Sequence, residues 1–202
     1  VQSFDEVVLK EIKRKNFPID EMIQCQEELD RAGKLSQPEV ILGLPAETRE
    51  SHLNTLRKLM RDVGANIIYQ YTLMLLPGTE MNTDASREKN RYVVKYRLLP
   101  TSYGTYRSRK CFEIEEVSVG TKDLRFEDYL EMREVFFCVH NVYSNAVYRS
   151  LVRHILYLED DIIEFMLYLM KKRRLLEKEV FPNKVVEDYL QDYIPPPIGS
   201  AD

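Results

Sequence analysis

The stretch that decides the fold reads Glu39-Val40-Ile41-Leu42-Gly43-Leu44-Pro45-Ala46-Glu47-Thr48. Its pattern is typical of a buried apolar strand that ends at a glycine and a proline, turns, and opens a helix behind a threonine cap. In parallel sheets ligands bind at the carboxyl ends of strands, and a glycine there lets backbone approach a flat ligand closely. We therefore expect the binding chemistry at this turn.

The residues after the turn predict a βαβ unit. A helix with leucines on one face runs from Thr48 to Gly64, and a long apolar run rich in β-formers, Ile67–Leu76, follows it. Two apolar strands joined by one amphipathic helix indicate a parallel pair. Such a pair leaves edges and faces open, and a closed barrel needs several more units, so the chain is expected to be part of a larger assembly.

The flanking segments are predicted by cap residues and periodicity. Ser3 is expected to cap a first helix over Phe4–Lys15, and a second helix is expected over Asp20–Ala32. Further on, the pattern predicts strands, a turn, helices and a disordered tail. These are strands at Tyr92–Leu99 and Phe112–Val119, a turn at Tyr103–Tyr106, helices from Arg125 onward, and the tail at Pro195–Asp202.

Composition excludes several function classes. The 202 residues carry a net charge of −4, with no basic stretch interleaved with aromatic residues, so nucleic acid is not an expected partner. The longest apolar windows, Ile67–Leu76 and Ile162–Met170, are well short of the roughly 20 residues of a membrane span. Acidic residues at the start do not fit a signal peptide, and a cytoplasmic location is expected.

The cysteines and histidines are too scattered to predict a metal site or a disulfide framework. No pair has ligand spacing, so we expect the cysteines to be small buried hydrophobes and the histidines to be structural or surface residues. The residues are Cys25, Cys111, Cys138, His52, His140 and His154. No acid–base pair, nucleophile–histidine constellation or phosphate-binding glycine loop stands out either.

A family resemblance rests on an ordered set of short motifs. These are Gln2-Ser3, Val8-Leu9, Ile12-Lys13-Arg14, Ala32-Gly33, the stretch from Glu39 to Thr48, and Leu76-Pro77-Gly78-Thr79. In this order and spacing they resemble the second half of a radical S-adenosylmethionine (radical SAM) barrel. The resemblance covers residues 1–81 and is strongest to the cobalamin-associated Fe–S oxidoreductase branch, and weaker to the anaerobic coproporphyrinogen dehydrogenases. The segment Tyr103–Leu130 also resembles the one that follows the barrel in the former group.

The resemblance implies an α/β fold: a partial (β/α) barrel of the radical SAM type, represented by its last two strands. Residues 1–81 would form this C-terminal half of the barrel, with Val1-Gln2-Ser3 matching the end of its fourth strand. A connecting loop and β-hairpin over residues 82–124, a helical C-terminal region over residues 125–194 and a disordered tail over residues 195–202 would follow.

The resemblance also implies an activity. In radical SAM enzymes a three-cysteine loop holds a [4Fe–4S] cluster, and reductive cleavage of S-adenosylmethionine gives a 5′-deoxyadenosyl radical. The chain has no such loop, so the cluster ligands would lie outside it, in the missing N-terminal half of the barrel. Any cobalamin would also be bound outside the chain. The full-length protein is expected to be an oxidoreductase or methyltransferase-like enzyme of unidentified substrate, and the isolated chain is expected to be inactive.

The family's adenosylmethionine contacts map to polar and to apolar positions. Among the polar ones, Gln2 would lie near the ribose, Arg14 would pair with the methionine carboxylate, and Glu39 would accept the ribose hydroxyls. A planar guanidinium suits a carboxylate because it can donate two parallel hydrogen bonds.

The apolar and backbone contacts come from the two predicted strands. Ile41 would supply a face for adenine, Gly43, Leu44 and Pro45 a backbone edge, and Leu76 would close over the ring. Ala46 stands where the family commonly has glycine.

Simpler explanations exist for these residues. Arg14 lies at a basic helix end that suits the helix dipole, Glu39 is compatible with a solvated strand start, and Gly43-Leu44-Pro45 with an ordinary strand terminator. A second function class therefore stays open, a non-catalytic helical interaction or dimerisation module. In it the apolar helix Ile162–Met170 is buried in a small bundle or marks a homodimer face.

Overall fold

A computed structural model describes residues 1–158 and 161–180. None of its helices in these two ranges is long and apolar enough to cross a membrane. In chain order the elements are α1 (Glu6–Glu11), α2 (Ile19–Arg31), β1 (Glu39–Leu42), α3 (Arg49–Arg57), β2 (Tyr69–Thr72), α4 (Asp84–Asn90), β3 (Val93–Tyr106), β4 (Arg109–Gly120), α5 (Phe126–Cys138), α6 (Arg149–Tyr157) and α7 (Ile162–Val180).

The predicted βαβ unit is present. Strands β1 and β2 pair in parallel, in a register that sets Glu39 beside Tyr69 and Leu42 beside Thr72, and α3 connects them. The second strand is shorter than its apolar run, because after Thr72 the backbone leaves β1 and pairs with β4. Met74 forms an antiparallel bridge with Val117 there.

The sheet is wider than its two named parallel strands. On one side the N–H of Ile41 donates to the carbonyl oxygen of Gln2 at 3.3 Å, so the N-terminal residues lie along β1. On the other side β4 pairs with the residues after β2, and β3 pairs with β4. Among the described residues this sheet is open and does not close into a barrel, so the fold is mixed α/β.

The hairpin is longer than predicted, and the turn predicted at Tyr103–Tyr106 is wrong. Pairing continues to Tyr106 opposite Arg109, and the chain reverses at Arg107 and Ser108, both with positive φ (47° and 64°). Two left-handed residues in a two-residue loop match the twist of a hairpin, which explains the turn position. A cross-strand ring contact between Tyr103 and Phe112 stabilises the strands before it.

The structure confirms the predicted helix cap at Thr48 but not the one at Ser3. Thr48 caps α3 as predicted, because its hydroxyl accepts the N–H of Ser51 and the Ser51 hydroxyl accepts the N–H of Thr48. Helix α1 begins later than predicted, because the Asp5 carboxylate and not Ser3 accepts the first free N–H groups. Ser3 faces inward, beside the hydroxyl of Thr55.

The larger core lies on one face of the parallel sheet, and a second, smaller cluster that includes Leu44, Leu73 and Leu75 has Ile41 packed against it. Side chains alternate along β1, with Val40 and Leu42 fully buried against α3, α5 and α7, while Ile41 is half-buried and Glu39 exposed on the opposite face. Helix α7 belongs to this core through buried residues of its first turns, namely Ile162, Ile163, Met166 and Met170. The apolar helix of the sequence is therefore buried within the chain itself.

Some expectations fail or fall outside the described ranges. Cys138 is buried as predicted, but Cys25 and Cys111 are exposed because they lie on the outer faces of α2 and β4. The predicted tail Pro195–Asp202 and residues 181–194 of the helical region lie outside the described residues.

Candidate functional site

Two adjoining clefts lie on the open side of the sheet, where β1 and β2 end. The larger, of about 700 Å³, lies between the end of α1, the turn after β1 and the residues after β2. The smaller, of about 430 Å³, lies over the exposed face of the strands. Both volumes are in the range of small-molecule sites.

Most of the sequence-predicted residues meet at these clefts. Those lining the larger one are Gln2, Arg14, Ile41, Leu44, Pro45 and Leu76. Glu39 lines the smaller cleft, which shares Gln2, Ile41 and Leu76 with the larger one. Seven of the eight predicted positions therefore border one continuous region, and Gly43 is the exception.

The larger cleft has an apolar floor and a rim with an excess of positive charge. Ile41, Leu44, Leu73, Leu76 and Met81 contribute apolar surface. Four cations and two carboxylates stand around them: Lys10, Lys13, Arg14, Lys89, Glu11 and Glu80.

Ion pairs neutralise only part of the positive charge on the rim of the larger cleft. Lys13 pairs with Glu80, and Lys89 pairs with Glu11, whose pKa is lowered chiefly by the hydrogen bond from Lys89. Within the described part of the chain, the guanidinium of Arg14 has no hydrogen-bond or ion-pair partner. The rim can therefore attract an anionic group to Arg14.

Glu39 lies at the strand face of the smaller cleft, next to Tyr71 of β2. The Tyr71 hydroxyl donates to the Glu39 carboxylate at 3.4 Å, and the charge of Glu39 is the main reason that the pKa of Tyr71 is raised. The long, exposed contact leaves this carboxylate able to accept further hydrogen bonds.

Gly43 has a structural role of its own. Its φ is +91°, and a Cβ at this position would lie 3.0 Å from the carbonyl oxygen of Ser118 in β4. The glycine therefore lets the turn pass close to the backbone of the neighbouring strand.

Sequence reasoning missed a buried polar chain behind the turn. Glu47 and His52 each expose 1% of their surface, and Gln70 exposes 9%. Nδ1 of His52 lies 2.8 Å from Oε1 of Glu47, and Nε2 of His52 lies 2.8 Å from Oε1 of Gln70. The other oxygen of Glu47 accepts the N–H of Gly43 at 2.7 Å and the N–H of Leu44 at 3.3 Å.

The ring of His52 is held between two oxygen acceptors. Burial lowers its pKa, but the adjacent Glu47 carboxylate and the hydrogen bonds to Glu47 and Gln70 outweigh burial, so the pKa is above its ordinary value of 6.5. With both ring nitrogens donating, Nε2 of Gln70 is left buried without a hydrogen-bond partner among the described residues. His52 is structural in the sense predicted, and its two partners are Glu47, in the turn before α3, and Gln70, on β2.

The sequence contains a weak signal for this buried chain of polar side chains. A polar Gln70 stands in an otherwise apolar run, and Glu47 immediately precedes the helix cap. Buried polar groups require partners, so Gln70 indicated a polar contact beneath the sheet without naming His52.

No group of three or more histidine, cysteine or acidic side chains within residues 1–158 and 161–180 is placed to hold a metal ion. No known protein family matches the chain. A comparison with curated proteins also finds no match.

Proposed function

We propose that this chain is the C-terminal half of a radical SAM barrel and carries part of an S-adenosylmethionine pocket. The observation that carries the proposal is the convergence of Gln2, Arg14, Glu39, Ile41 and Leu76 on adjoining clefts. These residues come from separate segments of the sequence, and the motifs of the family resemblance predict them. Arg14 and Leu76 lie near the ends of the parallel strands, where ligands bind in such sheets, and Glu39 and Ile41 lie on the adjoining open face of β1.

The open face of the sheet supports a partial barrel. Parallel sheets are normally covered on both faces, yet here Ile41 is only half-buried and Tyr71 exposes 48% of its surface. Helices cover the opposite face. The uncovered face fits the inside of a barrel, and the N-terminal half implied by the resemblance is the partner that would complete it.

The chemistry of the clefts fits the ligand. S-adenosylmethionine has a carboxylate, ribose hydroxyls and a flat adenine. Arg14 can bind the carboxylate, and Glu39 and Gln2 can bind the hydroxyls. The side chains of Ile41 and Leu76 provide apolar surface for the adenine ring.

In this proposal, the ligands of the iron–sulfur cluster lie in the N-terminal half of the barrel. When bound there, a [4Fe–4S] cluster supplies the electron for reductive cleavage of S-adenosylmethionine. The residues of this chain bind and orient the nucleoside and exclude water from it. We expect the chain alone to be inactive, and cobalamin, if used, to bind outside it.

A calorimetric titration of the 202-residue chain with S-adenosylmethionine tests the proposal. We expect binding in about the millimolar range, because only part of the pocket is present, and a loss of about tenfold or more in both Arg14→Ala and Glu39→Ala. Arg153→Ala removes an exposed cation far from the clefts in sequence and is expected to bind like the parent. A folded parent that releases no heat and shows no thermal shift would contradict the proposal.

A second candidate function, self-association through the helical region, is favoured by the surface of α6. Val147, Leu151 and Leu158 fall on one stripe of this region and expose 79%, 45% and 53% of their surface. Helix α7, which contains the predicted helix Ile162–Met170, packs one face into the chain's own core and leaves Tyr168 and Leu175 exposed, and we assign the interface to the apolar surface around α6.

A further inference from the structure

The turn between β1 and α3 forms one wall of the larger cleft in a conformation of high energy. Leu44 and Pro45 line the cleft, and on either side of them Gly43 and Ala46 have φ values of +91° and +62°. The left-handed conformation of Ala46 is unfavourable for a residue with a Cβ. Such backbone persists only where its surroundings hold it in place.

Glu47 is the group that holds the turn. One carboxylate oxygen accepts the N–H groups of both Gly43 and Leu44, so two consecutive peptide units are oriented by a single side chain. The carboxylate is 1% exposed. A buried carboxylate is tolerated only when hydrogen bonds and an opposite charge compensate for the lost water.

His52 and Gln70 supply that compensation from rigid elements. His52 lies on α3 and contacts the second carboxylate oxygen of Glu47, while Gln70 lies on β2 and accepts from the far side of the ring. Neither side chain lies on a loop. The position of the Glu47 carboxylate is therefore set by a helix and a strand, which locate a group more accurately than a loop does.

We propose that the buried chain Glu47–His52–Gln70 is a positioning device that fixes the Leu44–Pro45 wall of the cleft in its binding conformation. This inference rests on the proposed function of the cleft. In it Glu47 and His52 never touch the ligand, and they act through the backbone of Gly43 and Leu44.

A role in stability alone makes a different prediction. A buried ion pair that only stabilises the fold changes the free energy of unfolding and leaves the affinity of the folded molecules unchanged. A positioning device changes the geometry of the turn and the affinity together.

The test compares two substitutions of His52 in the full chain. Asparagine places its Nδ2 near the position of Nδ1 and keeps a donor for Glu47, whereas leucine fills the space without a donor. His154→Leu is the matched control, because His154 is exposed on α6. For each protein we would record the backbone amide resonances of Gly43 and Leu44 without ligand, and then the affinity for S-adenosylmethionine by calorimetry.

We expect His52→Leu to shift both amide resonances and to weaken binding by about tenfold, and His52→Asn to stay within about threefold of the parent. His154→Leu is expected to match the parent in both measurements. Should His52→Leu not fold, Glu47→Gln gives the same test, because it keeps the size of the side chain, loses the charge and should shift both amides.

The outcomes separate this inference from the proposed function. Unchanged Gly43 and Leu44 resonances in folded His52→Leu would overturn the positioning role, whether or not the parent binds ligand. Shifted resonances with unchanged affinity would also overturn it. A parent that binds no S-adenosylmethionine while the resonances shift as expected would overturn the proposed function and retain the control of the turn by the polar chain.

Discussion

At the scale of the residue, His52 makes the stability of this protein depend on pH. Its ring is buried between Glu47 and Gln70, and its pKa in the folded chain is above the ordinary value of 6.5. The folded state therefore holds the His52 proton more tightly than the unfolded state does. A raised pKa contributes stability that is fully present below the unfolded pKa and is lost as the pH rises through the folded pKa.

We expect the free energy of unfolding to fall as the pH rises above about 6.5 and through the raised folded pKa of His52, because His52 loses its proton in this window. Above the folded pKa, Nε2 of His52 becomes an acceptor, and the Gln70 amide can turn and donate to it. Urea denaturation at several pH values measures the effect, and His52→Asn should remove it.

Exposed His154 provides the comparison. His154→Asn should leave the pH dependence of unfolding as it is in the parent. A parent whose unfolding free energy does not change over this window, or rises, would show that His52 is not protonated in the folded state.

At the scale of the element, the end of α3 is stabilised by a contact with Tyr143, a residue far along the chain. After Arg57 the helix continues as a π-helical segment, Lys58–Val63, and ends at Gly64 with φ +71°. The last carbonyl groups of a helix lack partners within it. The hydroxyl of Tyr143 lies 2.6 Å from the carbonyl oxygen of Ala65 and 3.2 Å from that of Met60, so its single proton donates to the backbone at this helix end.

Tyr143→Phe should lower the free energy of unfolding by about 1–3 kcal/mol, because it leaves buried carbonyl oxygen without a donor at unchanged side-chain volume. Urea denaturation of the variant and the parent gives the difference. Tyr157→Phe removes a hydroxyl from a side chain that is 83% exposed, and it should cost no measurable stability. Equal losses in the two variants would mean that the Tyr143 contact does not support the helix end.

At the scale of the whole molecule, two surfaces of the described residues are the ones to which we assign a partner. One is the sheet face with Ile41 and Tyr71, which the proposed barrel half would cover, and the other is the apolar stripe of α6. The first surface contains polar groups at the positions proposed to bind ligand. The second is apolar, which fits a contact with another protein surface.

For the α6 stripe we expect weak self-association of the chain, seen as a concentration-dependent sedimentation coefficient. Leu151→Lys places a charge in the middle of the stripe and should raise the dissociation constant by about tenfold or more, because an unpaired charge would be buried in the contact. Gln24→Lys adds the same charge on the exposed face of α2 and should have no effect. Sedimentation as a monomer at every concentration would contradict self-association through α6.

The sequence by itself determined those features that depend on neighbours along the chain. The cap at Thr48, the glycine at the helix end and the two apolar runs on either side of the helix depend on local backbone and on composition, so the βαβ unit could be predicted. Resemblance then selected Arg14 and the other cleft residues as ligand contacts, and that role remains a prediction.

Only the tertiary structure decided which distant groups meet. The pairing of β4 with the residues after β2 and the contact of Gly43 with Ser118 join residues far apart in sequence, and the hydrogen bond between His52 and Gln70 joins α3 to β2. Local periodicity carries no information about such partners. A buried polar residue signals that a partner exists, and the packing of the helix and the strands decides which residue it is.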